Sequence, residues 1–392
     1  MYITGIGVIS AIGNNVSENL DSLRKKRTGI GKIEILETRL RNDFVAAEIK
    51  FTNQQLSEFL GVNPNLNLPR TTLFAVAAIK EAILDAGFDP SDSFRNGIVA
   101  GTSAGGMDKI EKYYYHTDQN SDFIRYHSFG NITEQAAGYT GITEYVTTLN
   151  TACSSGANAI LHGSRLIRQG MLDRVVAGGF DALSRFTLNG FKSLFILSHD
   201  VCKPFDKYRK GLNLGEGAGF VVLESEDLLM KTGNNPLCRL SGYANMNDAF
   251  HQTASSPNGE GAYLTMGKAI ERAGIKTSDI DYINMHGTGT DNNDLSEGMA
   301  LKRLFGDNIP PFSSTKSYIG HTLGAAGGIE AVFSVLSITE NLIYPNLFFS
   351  EPITELGLSP VTDIISGVSI KNVLSNSFGF GGNNASLVFS SI

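Results

Sequence analysis

Two kinds of segment alternate along this chain, and that alternation limits its possible folds more than any other feature. Short runs of β-branched and small residues read as strands: YITGIGVI (2–9), NGIVAGT (96–102), YVTTLN (145–150), RVVAGG (174–179) and GFVVLES (219–225). The series continues with CRLSGYA (238–244), YINMHG (282–287), PFSST (311–315) and VLSNSFGF (373–380). Helix-like stretches lie between them at 16–26, 71–87, 157–170, 262–274 and 328–342. In the third stretch Ala157, Ile160, Leu161, Ser164 and Ile167 fall on one face at helical spacing. Strands alternating with helices predict a layered α/β fold. The order also echoes itself. The first half runs strand, GTSAGG, strand, TACSS, helix, strand; the second runs strand, HGTGT, strand, STKSYIGH, helix, strand, GFGG. Two related halves are therefore expected, 1–230 and 231–392, meeting at the turn-rich MKTGNNP (230–236). TSDI (277–280) reads as an ordinary helix start.

Composition removes several function classes. A length of 392 residues, 42% of them hydrophobic, exceeds what one simple core holds. The net charge of −7 argues against nucleic acid, and the basic run RKKR (24–27) fits a solvated helix end. No run approaches the ~18 apolar residues of a membrane span. The start lacks the pattern of a signal peptide. Cys153, Cys202 and Cys238 are too few for a disulfide framework and have no zinc spacing, which fits a reducing cytoplasm and no metal.

Four corners crowd small residues around one reactive or polar side chain. In TACSSG (151–156) a strand stops at Cys153 and a helix begins behind it. Cys153 is either a small buried hydrophobe or a nucleophile on a tight elbow, where helix N–H groups favour its thiolate. MHGTGT (285–290) offers His286 with the hydroxyls of Thr288 and Thr290. SSTKSYIGHTLGAAGG (313–328) offers Lys316 and His321, with Glu330 following inside the next helix. A lysine and a glutamate so placed can form a buried pair. NSFGFGGNNAS (376–386) has no GK[ST] and no GxGxxG opening a helix, so nucleotide binding is rejected. Its phenylalanines suggest a mobile apolar flap that presents backbone N–H groups, or else a plain β-turn. The histidines at 116, 127, 162, 199 and 251 have no such setting and read as structural or surface.

In order and spacing these motifs resemble the elongating type I/II β-ketoacyl-acyl carrier protein synthases. The likeness runs from TGIGVISAIGNN (4–15) through KPFDKYRKGLNLGEGAG (203–219) to NSFGFGG. The resemblance implies a thiolase fold, with two similar halves stacked as an α-β-α-β-α sandwich, usually in a homodimer. It also implies Cys153 as acyl acceptor and His286 with His321 as the pair supporting decarboxylation. Lys316 and Glu330 would be the associated charges, and Thr288 and Thr290 the ligands of a phosphopantetheine arm. Phe378, Gly379 and Phe380 would form the gating loop, with the N–H groups of Phe380 and Cys153 as the oxyanion hole. The substrates would be malonyl and acyl thioesters on acyl carrier protein, with no cofactor beyond that arm.

Departures from the family pattern leave the substrate open. Cys153 is present, and the glycine loop holds no second cysteine, which disfavours chain-length factors and thiolases respectively. His321 favours elongation over initiation. Ala104 stands where related enzymes often carry a larger acyl-pocket residue. HGTGTDNNDLSEG and KSYIGH look closer to polyketide or aryl-polyene synthases. The resemblance implies elongation in fatty acid biosynthesis, with elongation in an aryl-polyene or polyketide pathway as the alternative. The basic cluster expected for carrier docking shrinks to Arg70, with Arg125 and Arg209 as substitutes. A non-catalytic scaffold subunit is the rival reading from another class.

Overall fold

The computed structural model describes residues 1–115 and 121–392; His116 lies outside the described residues. Ten strands form one sheet. The first half supplies β1 (Tyr2–Ser10), β2 (Asn96–Gly101), β3 (Tyr145–Leu149), β4 (Arg174–Asp181) and β5 (Gly217–Glu224). The second supplies β6 (Cys238–Asn247), β7 (Tyr282–Asn284), β8 (Phe312–Ser313), β9 (Asn372–Gly379) and β10 (Asn383–Ser390). Their spatial order is β3-β2-β4-β5-β1 and β8-β7-β9-β10-β6. In each half the first two pairings are parallel and the next two antiparallel. Each half thus repeats one strand order and one pattern of directions. They join where Tyr2 and Ile3 of β1 pair with Arg239 and Cys238 of β6.

Helices fill three layers around this sheet. Arg70–Ala86 covers the outer face of the first half, packed on β1, β4 and β5. Glu260–Ala273 covers the second half on β6 and β10, with Asp291–Phe305 beside it. Between the halves lie Ser155–Arg168 and Ala326–Glu340, packed on each other and on strands of both halves. The result is the expected α-β-α-β-α sandwich. Residues 323–340 have the length and apolar character of a membrane span, contrary to the sequence reading, but they form this buried central layer.

The central layer dictates where small residues must stand. A methyl group added at Gly156 would lie 2.7 Å from Gly328 N and 2.8 Å from Gly324 O. One added at Gly328 would lie 2.3 Å from Gly219 O. Backbone meets backbone at these points, so no side chain can enter.

Three expectations change. Thr277–Asp279 is a single 3-10 turn, not a helix start, because the chain goes straight on into β7. The strand over YINMHG ends at Asn284, leaving His286 in a loop. The glycine-rich flap is the tip of a hairpin between β9 and β10, with Phe380–Gly382 as its turn and Gly381 and Gly382 at φ +77° and +75°. The chain does turn there, as the plain-turn alternative had it, and the tip also presents the Phe380 N–H, as the flap reading expected.

Gly328→Ala should lower unfolding stability by about 3 kcal/mol, the upper range for overpacking. Gly190→Ala, in an exposed helix with open space around it, should be neutral or gain up to ~1 kcal/mol. Urea unfolding measures both; equal effects would mean that the central layer is looser than its backbone contacts imply.

Candidate active site

Cys153 sits on a strained corner. Ala152 just before it has φ +53°, a left-handed conformation that costs a non-glycine residue of order 1 kcal/mol. Hydrogen bonds hold that corner. The Ala152 carbonyl accepts from Ser155 Oγ at 2.6 Å, Ser103 Oγ at 3.0 Å and Ser155 N at 3.1 Å. The helix Ser155–Arg168 begins directly behind. The end of β9 lies against the elbow: a methyl group at Gly379 would be 2.9 Å from Thr151 O and 3.1 Å from Cys153 N. The N–H groups of Phe380 and of Cys153 itself bond toward the sulfur.

The expectation that the elbow favours the thiolate is not met. Burial pushes the Cys153 thiol up to about 11, against the opposing pull of Lys316 and those N–H groups. The residue is only 6% exposed, so the loss of hydration outweighs Lys316 and the two N–H groups. Cys202 and Cys238 are also buried free thiols, raised by the same cause.

The two corner histidines meet edge to face, with ring centroids 5.2 Å apart at 86°. His321 Nδ1 accepts a hydrogen bond from Leu323 N–H at 3.1 Å. A backbone N–H can only donate, so the ring proton of His321 is on Nε2. Lys316 Nζ lies 3.3 Å from His286 Nδ1 and 2.5 Å from Glu330 Oε1. The ammonium likewise only donates, which places the His286 proton on Nε2. Burial first, then the Lys316 charge, pushes both imidazoles well below the usual histidine range. Both are therefore neutral donors at physiological pH. Lys316 and Glu330 form the buried pair expected, each almost wholly enclosed.

Backbone bonds fix the corner carrying His286. His286 N and Gly287 N donate to the two oxygens of Glu297 at 2.9 and 2.8 Å. Burial pushes Glu297 up to about 7. Asp294 accepts from Gly289 N at 3.2 Å. Thr288 and Thr290 bring their hydroxyls within 2.9 Å of each other.

One cavity of about 950 Å³, its mouth included, collects most of these groups. Cys153, His286, His321, Thr288, Thr290, Phe378, Gly379 and Phe380 all line it. Phe380 stacks on Phe191 with centroids 5.9 Å apart at 17°. Lys316 and Glu330 stand behind the histidines. Ala104 does not reach the cavity: it is buried, and its N–H bonds Asp181 Oδ1 at 2.9 Å.

The cations proposed for docking fare differently. Arg70 is buried against Glu216 and donates to the carbonyls of Ile49 and Phe51, so it cannot meet a partner. Arg209 has only 8% of its side chain exposed and holds the carbonyls of Asp206, Thr290 and Asp291. Arg125 is exposed and lies over the Tyr126 ring. His127, His162, His199 and His251 lie outside the cavity, His199 stacked on Phe44. Sequence reasoning missed Asp181, Glu297, Phe191 and Phe195, the last 94% exposed at the cavity mouth. The aromatics carried a weak signal, two phenylalanines in a glycine-containing stretch; the carboxylates carried none.

Residues 1–228 match the N-terminal domain of beta-ketoacyl synthase, and residues 237–350 match its C-terminal domain. A 3-oxoacyl-[acyl-carrier-protein] synthase 2 from Staphylococcus aureus (strain N315) is 35% identical, over 99% of this chain and 97% of its own length. Among solved structures, the ishigamide ketosynthase/chain length factor superposes with a TM-score of 0.93 at 32% identity, covering 100% of this chain and 98% of that one. A type II polyketide ketosynthase, solved with its acyl-carrier protein and bound to the hexaketide, has a TM-score of 0.90 at 27% identity, covering 100% and 99%.

With the thiol near 11, alkylation of Cys153 by iodoacetamide should rise about tenfold per pH unit from pH 7 to 9. Peptide mapping after timed quenching reads the rate. A plateau below pH 8 would mean that the N–H groups and Lys316 outweigh burial after all.

Proposed function

The chain belongs to the β-ketoacyl synthase family of condensing acyltransferases, and we propose that it is an elongating 3-oxoacyl-[acyl-carrier-protein] synthase. One observation carries this reading. A cysteine, two neutral imidazoles with outward Nε2–H groups, and the Phe380 N–H converge on a single cavity.

The chemistry follows from those groups. Cys153 sulfur attacks an acyl thioester on the phosphopantetheine arm of acyl carrier protein, and its proton leaves with the carrier thiol. The N–H groups of Cys153 and Phe380 would stabilise the tetrahedral oxyanion, each donor worth about 3–4 kcal/mol in comparable sites. The acyl group then rests on sulfur as a thioester. Thr288 and Thr290, paired at the mouth, suit the polar amides of the arm. A malonyl thioester next loses carbon dioxide. The electron pair of the broken bond becomes an enolate, whose oxygen accepts from His286 and His321. Neutral donors suit this step, because an enolate would take a proton outright from an imidazolium. The enolate carbon attacks the acyl–Cys153 carbonyl, and the thiolate leaves. The product is a β-ketoacyl chain two carbons longer. No group in this sequence of steps needs a metal or redox cofactor.

Elongation in a polyene or polyketide pathway is the second reading, favoured by the TM-score of 0.90 to a type II polyketide ketosynthase. A scaffold role fits poorly with a cysteine facing a formed cavity. A homodimer is supported by β3, an edge strand whose five residues are all only half-buried, which leaves a row of backbone groups open to a second copy. A cytoplasmic setting is supported by three free, buried cysteines.

Incubation with saturated and polyene acyl-carrier thioesters, followed by intact mass and peptide mapping, should place the acyl group on Cys153. Cys153→Ala should abolish this transfer. His286→Ala and His321→Ala should retain it and lose malonyl decarboxylation by about 10²–10⁴-fold. Full condensation by Cys153→Ala would sink the mechanism, and the preferred acyl chain chooses between the pathways.

A further inference from the structure

Asp181 is the last residue of β4 and does not line the cavity, yet four donors from two motifs, GTSAGG and the HTLGAAGG stretch, converge on it. Its Oδ1 accepts from Thr102 Oγ1 at 2.7 Å and Ala104 N at 2.9 Å. Its Oδ2 accepts from Ser103 N at 2.8 Å and Gly324 N at 2.6 Å. The carboxylate is completely buried.

Two of these bonds lead to reacting corners. Gly324 follows Leu323, which is held at φ +54° so that its N–H turns back onto His321 Nδ1. Ser103, fixed by its own N–H on Asp181, sends its hydroxyl to the carbonyl of the strained Ala152, one residue before Cys153. A buried carboxylate that only filled space would be costly, since burial raises it to about 6 even against the four hydrogen bonds that lower it. Four donors divided evenly between its two oxygens require an acceptor at both positions. An amide cannot supply that, because its NH2 would face two N–H or O–H donors.

We propose that Asp181 is a positioning residue that locks His321 as the Nε2–H tautomer and holds the Cys153 elbow at the same time. One side chain thereby ties the acyl-accepting corner to the decarboxylating corner. Only the kinetic part of this inference rests on the reaction proposed above; the tautomer does not.

The test is Asp181→Asn in the full chain, read in two ways. The first is the ¹⁵N spectrum of the ring nitrogens of His321, assigned by its loss in His321→Asn. The second is the pair of half-reactions, acyl transfer to Cys153 and malonyl decarboxylation. The expected result is a mixed tautomer at His321 and a fall of about 10- to 100-fold in both rates. KM for the thioesters should stay within about twofold, since no binding group is removed. A folded Asp181→Asn protein with parental His321 signals and parental rates would overturn the proposal. Should that variant not unfold cooperatively, Thr102→Val keeps the carboxylate and drops one donor; it should shift the same signals less, and unchanged signals would overturn the proposal. A parent protein that neither acylates nor decarboxylates would defeat the proposed reaction, while the ring spectra would still decide the role of Asp181.

Discussion

Everything in the site depends on how closely two helices approach. Ser155–Arg168 and Ala326–Glu340 meet near their N-terminal ends, where a methyl group at Gly327 would lie 2.6 Å from Ala157 N. The first helix starts just after Cys153. The second follows the loop that carries Lys316 and His321. Because each half repeats one strand order, the two helices are equivalent in position, and stacking the halves brings their starts together. Backbone contact at that point sets how far a cysteine from one half can be from a histidine of the other. Larger side chains would push the halves apart and separate the reacting groups, as small displacements do in active sites generally.

Close approach also dries the site, and desolvation then sets every charge in it. The imidazoles stay neutral because burial opposes protonation, and Lys316 repels a second positive charge. Lys316 stays compensated because Glu330 lies against it. Cys153 bears the cost: a thiol near 11 needs roughly 5 kcal/mol to ionise at pH 7, at 1.36 kcal/mol per pH unit. The reaction does not require a resting thiolate. It requires that negative charge be stabilised when it forms, first on sulfur and then on oxygen. The N–H groups of Cys153 and Phe380, with the Lys316 charge behind the histidines, are the groups that can do so. They hold their positions before any charge appears, which is where a preorganised site gains over water.

The legible parts of this structure were those where packing forces a residue type. Glycine and alanine around Cys153, His321 and Phe380 are required by backbone contacts, so the corners stood out in the sequence. Charged residues had no such mark. Arg70 and Arg209 looked like surface cations, yet one is sealed against Glu216 and the other holds the carbonyl of Thr290. Asp181 and Glu297 carried no mark in the sequence, yet each gathers backbone N–H groups under a histidine corner. The helix Asp291–Phe305 escaped for the same reason. Its buried face carries Asp294, Ser296 and Glu297 along with Ala300 and Leu301, so no apolar period marks it. Buried carboxylates that serve loops are invisible until the loops are in place, because their partners are backbone atoms far away in sequence.

The hairpin tip shows how one short turn can serve two demands. On the reading proposed above, the N–H of Phe380 would face the sulfur of Cys153 while its ring would leave room for an acyl chain. The ring lies flat on Phe191, in a helix of the first half, and Gly381 and Gly382 supply the left-handed conformations that let the chain reverse immediately afterwards. On the far side the turn is tied down: Gly381 N donates to Gln252 O, and the Gly381 and Gly382 carbonyls accept from Asn247 and Asp248. The backbone that would hold the oxyanion is therefore anchored in the second half, and only the side chain rests on the first. Stacking on Phe191 is worth about 0.5–1.5 kcal/mol beyond the buried area, so the ring could turn about its own side-chain bonds without moving the N–H. Rigidity and access are thus assigned to different atoms of one residue.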